Sequence, residues 1–146
     1  MTRDLFINGK DAWVTWGVRM GDGFLDALDG FCEMKEFVAD ESRLEHGKRV
    51  TVVPKVKSRE VTLQFTMQGT SEADYRIKKN SFQDELENGI VEINVPVLGD
   101  TVYYNLLFKR GIAYGLSLRR DFGKISCKFE EPNPKDRQKR NKAQNV

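Results

Sequence analysis

The side chains that could do chemistry are few and lie far apart in this sequence. The chain has one histidine, His46, and two cysteines, Cys32 and Cys127, whose spacing fits no metal-ligand motif. A single histidine in a charged stretch is more often solvated than catalytic. The sequence contains no Gly-x-Ser-x-Gly motif, phosphate-binding loop or dinucleotide fingerprint, and no acidic pair stands out for acid–base catalysis. We therefore predict a protein that is not an enzyme and that binds no cofactor or metal.

Composition limits the class of protein further. The 146 residues suit one domain, and 39% hydrophobic residues are enough for a core. No apolar stretch approaches about 18 residues, which predicts no transmembrane helix. The opening Met-Thr-Arg-Asp has no apolar signal core, so we expect no export signal and two reduced, buried cysteines. The net charge of +2 is too small to predict nucleic-acid binding by the whole domain.

A group of aromatic residues could offer a ligand-binding surface. Such residues can form a platform on which the bases of single-stranded nucleic acid stack. Their alternation with other residues in predicted strands favours packing in a core or an interface instead. The group consists of Trp13, Trp16, Tyr103, Tyr104 and Phe122.

Residues 59–108 carry the clearest structural pattern, and the rest of the chain is organised around them. Apolar and polar residues alternate through residues 60–68, which predicts a half-buried strand. Alternation returns in residues 91–95 and 102–108, which predicts two more strands. Pro96 cannot donate a backbone hydrogen bond, so the strand before it should end there or lie at an edge.

A helix is predicted between the first two of these strands. Ser71 and Asp74 resemble a capping box, with Asp in place of the usual Glu. Asn88-Gly89 favours a helix end, because glycine adopts a left-handed conformation without strain. The apolar stripe of the helix consists of Tyr75, Phe82 and Leu86.

Shorter alternating stretches predict additional strands on both sides of residues 59–108. Arg110-Gly111 predicts a turn between the central stretch and a final hairpin. Residues 24–28 are too few to decide between a helical turn and an extended segment. The additional strands are predicted at residues 5–8, 12–20, 31–37, 112–118 and 124–130, with the weakest pattern at 31–37.

Residues 40–58 differ from the rest of the chain because charged residues and valines dominate them. A solvated surface loop is one interpretation. We prefer an extended arm or hairpin that leaves the domain and lies on a neighbour, because loops of this length tend to be functional or disordered. His46-Gly47 could form its tip, and Pro54 argues against a central strand.

Two groups of charged residues, in the C-terminal tail and at the end of the predicted helix, suggest charge-based contacts. Residues 132–146 form a basic tail that we predict to be disordered; a solvated terminus is favoured over one that binds an acidic surface. The predicted helix ends in acidic residues, the wrong sign for the negative end of its dipole. The arm of a neighbouring copy could neutralise them. The predicted subunit contacts are Arg43, Glu45, His46, Lys48, Arg49, Lys55, Lys57, Asp84, Glu85 and Glu87.

These patterns resemble those of bacteriophage distal tail proteins, which belong to the wider tail-tube-like group. The resemblance covers most of residues 1–131. It is carried by the strand and turn of residues 59–71, the helix reaching Phe82 and Leu86, the Asn88-Gly89 stop, the strands through residues 103–108, and the opening Phe6-Ile7-Asn8-Gly9.

The resemblance implies a mainly β (α+β) fold with two packed antiparallel sheets, as a β-sandwich or barrel, and one flanking α-helix. It also implies a closed hexameric ring through which DNA and the tape measure pass, with a β arm on the adjacent subunit. Residues 1–131 would form the domain, with the arm at 40–58. Many distal tail proteins carry an added carbohydrate-binding-like domain, for which this chain has no room.

The expected role is therefore a minimal distal tail or baseplate hub protein, or else a tail-tube subunit proper. The expected partners are copies of the chain itself, other tail proteins, and DNA that passes without sequence-specific binding; no membrane is expected. The location would be the virion tail, assembled in the host cytoplasm. A single-stranded nucleic-acid-binding β-barrel is the alternative from another class, and an enzyme comes third.

Overall fold

The computed structural model describes residues 3–32, 34, 38–40, 49–51 and 57–139. Within these ranges the chain forms short strands and helices first and long strands later. The strands are β1 (Phe6–Ile7), β2 (Lys10–Asp11), β3 (Val18–Met20), β4 (Val38–Asp40), β5 (Arg49–Thr51), β6 (Arg59–Gln68), β7 (Ile90–Asn94), β8 (Tyr104–Leu116) and β9 (Phe122–Glu131). The helices are α1 (Ala12–Trp16), α2 (Phe24–Asp29) and α3 (Glu72–Leu86).

Seven of these strands form one antiparallel sheet in the order β2-β1-β7-β8-β9-β6-β3. The longest pairings are those of β9 with β6 and with β8, so three long strands make the centre of the sheet. Strands β4 and β5 pair with each other as a separate two-stranded sheet. They form the base of the predicted arm, whose residues 41–48 and 52–56 lie outside the described part.

The mainly β class is confirmed. Among the described residues, however, the strands from both ends of the order belong to one continuous seven-stranded sheet and not to the two packed sheets that the resemblance implied. Strand β8 is the reason, because it belongs to both halves of the fold. Its first residues pair with β7, up to the pair of Ile90 with Leu107. From Leu107 onward it pairs with β9 as far as Leu116, so hydrogen bonding continues from one half of the sheet to the other.

The predicted turn at Arg110-Gly111 is also wrong, because β8 passes through these residues as one strand. Its pairing with β9 shifts register twice, between Phe108 and Arg110 and between Gly111 and Ala113. Such bulges bend a strand without ending it. Because the strand bends without ending, β8 is one strand over residues in which the sequence predicted two strands and a turn.

Strand β6 and helix α3 form the centre of the core, as the sequence predicted. Alternate residues of β6 are buried, and Phe65 packs edge-on against Phe82 of α3 at 5.2 Å between ring centroids. One bond of the predicted capping box is present, because the Ser71 hydroxyl accepts a hydrogen bond from the Asp74 backbone at 3.1 Å. The Asp74 carboxylate accepts its bond from the backbone of Thr70, one residue before the cap, at 2.8 Å.

Two short helices accompany the one expected. Residues 12–16 form α1 rather than the start of a strand, because both ends of this turn are capped. Asp11 accepts hydrogen bonds from the backbone of Trp13 and Val14, and Gly17 ends the turn with φ 64° in the left-handed region. The strand prediction holds only for β3. Residues 24–28, undecided from the sequence, form most of α2.

A buried ion pair joins α2 to the sheet. The Arg59 guanidinium donates to the Glu131 carboxylate at 2.6 Å, and Glu131 is fully buried. The same guanidinium donates to the backbone carbonyls of Leu28 at 2.7 Å and Gly30 at 3.1 Å, which lie at the end of α2. These bonds satisfy the carbonyls that every helix end leaves without partners.

The chain after β9 stays attached to the domain as far as the structure describes it. Arg137 donates to Glu131 at 2.9 Å and lies over the Tyr104 ring at 4.8 Å, while its backbone carbonyl accepts from Tyr103. Asn105 donates to two further carbonyls of the same segment. Residues 132–139 therefore differ from the disordered tail that the sequence predicted, and residues 140–146 lie outside the described part.

The two cysteines, both predicted to be buried, differ in their exposure. Both cysteines are free thiols; Cys127 is buried, which raises its pKa to about 12, whereas Cys32 is partly exposed. Phe31 and Cys32 do not lie in a strand, and Met34 forms an isolated bridge. The other residues of the predicted strand at 31–37 lie outside the described part. No helix among the described residues is long and apolar enough to cross a membrane.

Candidate assembly surface

The far half of β8 has a free backbone edge. On one side, β9 pairs with β8 as far as Leu116. On the other side, β7 reaches only Leu107, and within the described part of the chain no strand pairs with residues 108–116. A strand with one free edge presents unpaired N–H and C=O groups and is a template for another strand.

The same half of β8 also exposes large apolar side chains. Ile112, Tyr114 and Leu116 are 50%, 44% and 38% exposed, and Leu118 in the following turn is 99% exposed. Tyr114 and Leu116 are two positions apart in regular pairing with β9, so they lie on one face of the strand. Ile112 lies at the bulge between Gly111 and Ala113, and Leu118 lies beyond the strand. We call these four residues the β8 stripe. A contiguous apolar surface beside a free edge is typical of a surface that another protein chain covers.

An apolar groove lies next to the β8 stripe, between α3 and the β8–β9 hairpin. Its volume is about 380 Å³. One wall is α3 and the opposite wall is the hairpin. We call it the α3 groove; it is lined by Met67, Lys79, Phe82, Gln83, Leu86, Glu87, Phe108, Gly111, Tyr114 and Ile125.

Hydrogen bonds between polar side chains run along the α3 side of this groove and connect α3 to the hairpin. Along α3, Lys79 donates to Gln83 at 3.1 Å, and Gln83 donates to Glu87 at 3.2 Å. The hydroxyl groups of Tyr75 and Tyr114 share a hydrogen bond of 2.6 Å. Burial, and then the bond to Tyr114, raise the pKa of Tyr75 well above its usual value, so the Tyr75 hydroxyl keeps its proton at physiological pH.

The opposite face of the sheet carries paired charges instead of apolar groups. Glu60 lies 3.3 Å from Lys109 and 3.5 Å from Lys128, and Glu130 lies 3.6 Å from Lys109. The hydrogen bond from Lys109, with the charge of Lys128, holds the pKa of Glu60 below its usual value. The charges on this face therefore balance one another, whereas the groove on the other side of the sheet is lined mainly by apolar groups.

The aromatic residues considered for base stacking do not share one surface. Trp16 and Tyr104 are buried in the core, so neither can stack on a ligand. Trp13 is partly exposed, and the Arg19 guanidinium covers its ring at 4.9 Å. Core packing, the favoured interpretation of this group, is confirmed for Trp16 and Tyr104.

One predicted subunit contact is satisfied within its own chain. Glu85 accepts hydrogen bonds from Asn8 at 2.6 Å and from Lys10 at 3.1 Å, so the cation that faces it belongs to the N-terminal turn of the same copy. The sequence could not reveal this pairing because the two segments are distant in the chain. Glu87 accepts from Gln83, and Asp84 is exposed.

The remaining predicted contacts stay predictions. Lys57 is exposed at the end of the segment predicted to be an arm. Arg49 lies in β5, where its backbone position is opposite that of Asp40 in β4. Arg43, Glu45, His46, Lys48 and Lys55 lie outside the described residues. Among the residues that the structure does describe, no cluster of His, Cys, Asp or Glu could hold a metal ion.

Sequence reasoning missed the residues of the β8 stripe as contact candidates. It predicted a strand at 112–118, and that strand is present in β8 up to Leu116. The alternation gave a signal for a face that needs cover. It could not say that α3 covers the equivalent face of β6 and stops short of this one.

Comparison with known proteins gives a likeness of fold. No model of a protein family matches the chain, and no curated protein matches it. The fold is similar to the crystal structure of the SPP1 Dit (gp 19.1) protein, described as a paradigm of the hub adsorption apparatus in phages that infect Gram-positive bacteria. The TM-score is 0.55 at 16% sequence identity, over 90% of this chain and 50% of the Dit chain. The chain thus spans about half the length of that structure, and its mainly β fold is of the kind found in the Dit protein.

Proposed function

We propose that the protein is a structural subunit of a phage tail, most specifically a minimal distal tail or baseplate hub protein that forms a ring around the DNA channel. The observation that carries this proposal is the free edge of β8, residues 108–116, beside an uncovered apolar stripe. The likeness of fold to the Dit hub protein supports it.

Ring formation follows from how such an edge can be satisfied. A strand edge and a different surface of the same chain make a head-to-tail contact, and repeating that contact closes a ring when the rotation fits. Closure would cover every copy of the β8 edge at once. A hexamer is the order that we propose, with DNA passing through the lumen without sequence-specific contacts.

One strand pairing is too small an interface by itself. Stable interfaces bury about 1,200–2,000 Å² in total. We therefore propose that the arm, residues 40–58, adds area by lying on the adjacent subunit, with β4 and β5 as its base. The virion tail is the proposed location, and other tail proteins are the proposed axial neighbours of the ring.

The first experiment measures assembly directly. Size-exclusion chromatography with light scattering at micromolar and higher concentrations, followed by electron microscopy, should reveal closed rings. Stacked tubes instead of single rings would favour a tail-tube subunit proper. A strict monomer at every concentration would contradict the proposal.

The second experiment places a charge on the β8 edge. Leu116→Lys should abolish assembly with little change in monomer stability, because charged side chains block edge pairing. Thr62→Lys is the matched control: it adds the same charge to an exposed position of β6, on the opposite face of the sheet. Rings that survive Leu116→Lys would exclude the β8 edge as the joint.

The third experiment removes the arm. Deleting residues 43–57 should abolish ring formation while far-ultraviolet circular dichroism remains that of a folded β protein. If rings persist, the arm has a different role.

A further inference from the structure

The α3 groove is an apolar space that no side chain of its own copy fills within the described part of the chain. Its lining includes the buried Phe82 and Leu86 and the half-buried Ile125, together with the exposed Gln83 and Glu87. Its volume of about 380 Å³ is large enough for one bulky apolar side chain and its neighbours. Burying the apolar lining of such a groove under an inserted side chain removes that surface from water and is therefore favourable.

The chain also carries a bulky side chain that has no cover. Phe31 is fully exposed, at 102%, immediately after α2. It borders a depression with Glu60, Lys109 and Glu130, whose side chains lie on the charged face of the sheet. Met34, 54% exposed, borders a second depression together with Phe31.

We propose that Phe31 of one copy inserts into the α3 groove of the next copy in the ring. This inference rests on the proposed function, and it names the side chain and the pocket that set the register between neighbours. The groove lies directly beside the free edge of β8: Gly111 and Tyr114 belong to both. A strand that pairs with this edge would therefore bring the neighbouring copy to the mouth of the groove.

The positions of the two features favour a head-to-tail contact. The groove opens on the side of the sheet that α3 covers, whereas Phe31 lies beside the charged face. A projecting side chain on one face and a pocket on another connect successive copies in one direction, which is the geometry of a ring or a filament. The charge pairs of the opposite face are already satisfied within each copy, so they do not compete for this contact.

The first test truncates the projecting side chain. Phe31→Ser should raise the subunit dissociation constant by about 10- to 100-fold, the loss expected for one buried aromatic side chain. Val97→Ser, which truncates another exposed apolar residue at 78%, is the matched control and should leave assembly unchanged. The thermal midpoint of the dilute monomer checks that both variants fold. Unchanged assembly of Phe31→Ser, or equal loss in both variants, would overturn the inference.

The second test asks whether the two sites meet. Phe31→Cys and Gln83→Cys are combined in a Cys32→Ser background, since Cys127 is buried and does not react. Oxidation of the assembled protein should link successive copies into a covalent series up to the full ring. Either new cysteine alone should give no series. Absence of links in a preparation that forms rings would overturn the inference.

The two proposals fail in different ways. Wild-type protein that forms rings without links between positions 31 and 83 would leave the proposed function standing and reject the Phe31 contact. Wild-type protein that stays monomeric would reject the proposed function, and the contact with it.

Discussion

The apolar stripe of β6 and the β8 stripe make an instructive pair. Val61, Leu63, Phe65 and Met67 alternate with polar residues, and Ile112, Tyr114, Leu116 and Leu118 alternate with small or charged ones. The first set is buried to 6% exposure or less, whereas the second is at least 38% exposed. Equivalent patterns thus have opposite surroundings.

Cover explains the difference. Helices α2 and α3 both pack on β6, so that Phe24 and Phe82 contact Phe65 from two sides. Helix α3 reaches the β8–β9 hairpin through the hydrogen bond between Tyr75 and Tyr114, and it leaves the other residues of the β8 stripe exposed. Alternation therefore predicts that a strand has an apolar face, and the surrounding elements decide whether that face belongs to a core or to an interface.

The largest expected effect separates the two stripes by stability. Phe65→Ala should lower the free energy of unfolding by about 3–5 kcal/mol, because it leaves a cavity in a packed core. Leu116→Ala should change the unfolding of the monomer by less than about 1 kcal/mol and act on assembly instead. Urea denaturation of dilute protein measures both. Similar losses from the two variants would mean that the β8 stripe is part of the monomer core.

The next largest effect comes from comparing the ion pair of a buried glutamate with an exposed ion pair at the start of α3. Arg137→Ala removes two hydrogen bonds to the fully buried Glu131 and should cost about 1.5–3 kcal/mol. Arg120→Ala breaks an exposed pair with Glu72, 60% exposed, and should cost less than about 1 kcal/mol. Chemical denaturation of the two variants measures the loss in the free energy of unfolding that each substitution causes. An unchanged midpoint for Arg137→Ala would show that residues 132–139 do not stabilise the domain.

A glycine pair tests packing at the junction of α3 with the hairpin. An added methyl group at Gly123 would overlap the Tyr75 hydroxyl, so Gly123→Ala should cost about 1–3 kcal/mol. Gly115, on the adjacent strand, has open space around the same position, and Gly115→Ala should be neutral or slightly stabilising. The difference in thermal midpoint between these two variants is the measurement. Equal midpoints would place Tyr75 away from β9.

The smallest effect concerns acid stability at the start of α3. The Thr70 backbone bond, and then Lys78, hold the pKa of Asp74 below its ordinary value of 3.8. A carboxylate with a lowered folded pKa stabilises the protein above its unfolded pKa, and this contribution disappears as the pH falls through the folded pKa. Asp74→Asn should therefore lower the urea midpoint at pH 6, and this difference should shrink as the pH falls below 3.8. A constant difference across this range would exclude the carboxylate charge as the cause.

The sequence predicted strands and helices correctly where the local preferences of the residues match their burial in the folded domain. Strand β6, helix α3 with its Ser71 cap, and the β8–β9 hairpin all lie where the sequence places them. Prediction failed in residues 12–16, where two capping residues outweigh a β-like alternation. It failed again at Arg110-Gly111, where bulges continue a strand that appeared to turn.

The candidate site was harder to predict than the fold. The charges at the end of α3 pointed toward a neighbouring copy, but Lys10 and Asn8 reach Glu85 within the same chain. Phe31 carried no signal, since one phenylalanine in a weak strand pattern looks like an ordinary core residue. The full exposure of the Phe31 side chain results from how distant segments pack in the folded domain.

The sequence by itself determined that this is a mainly β chain, with long alternating strands, one capped amphipathic helix and a segment rich in charge at residues 40–58. These properties depend on residue period, caps and turn residues, which act over a few positions. Only the tertiary structure decided that β8 joins the two halves into one sheet, which apolar faces are covered, and that a groove remains beside a free edge. Those outcomes depend on contacts between distant segments, whose packing no local pattern contains.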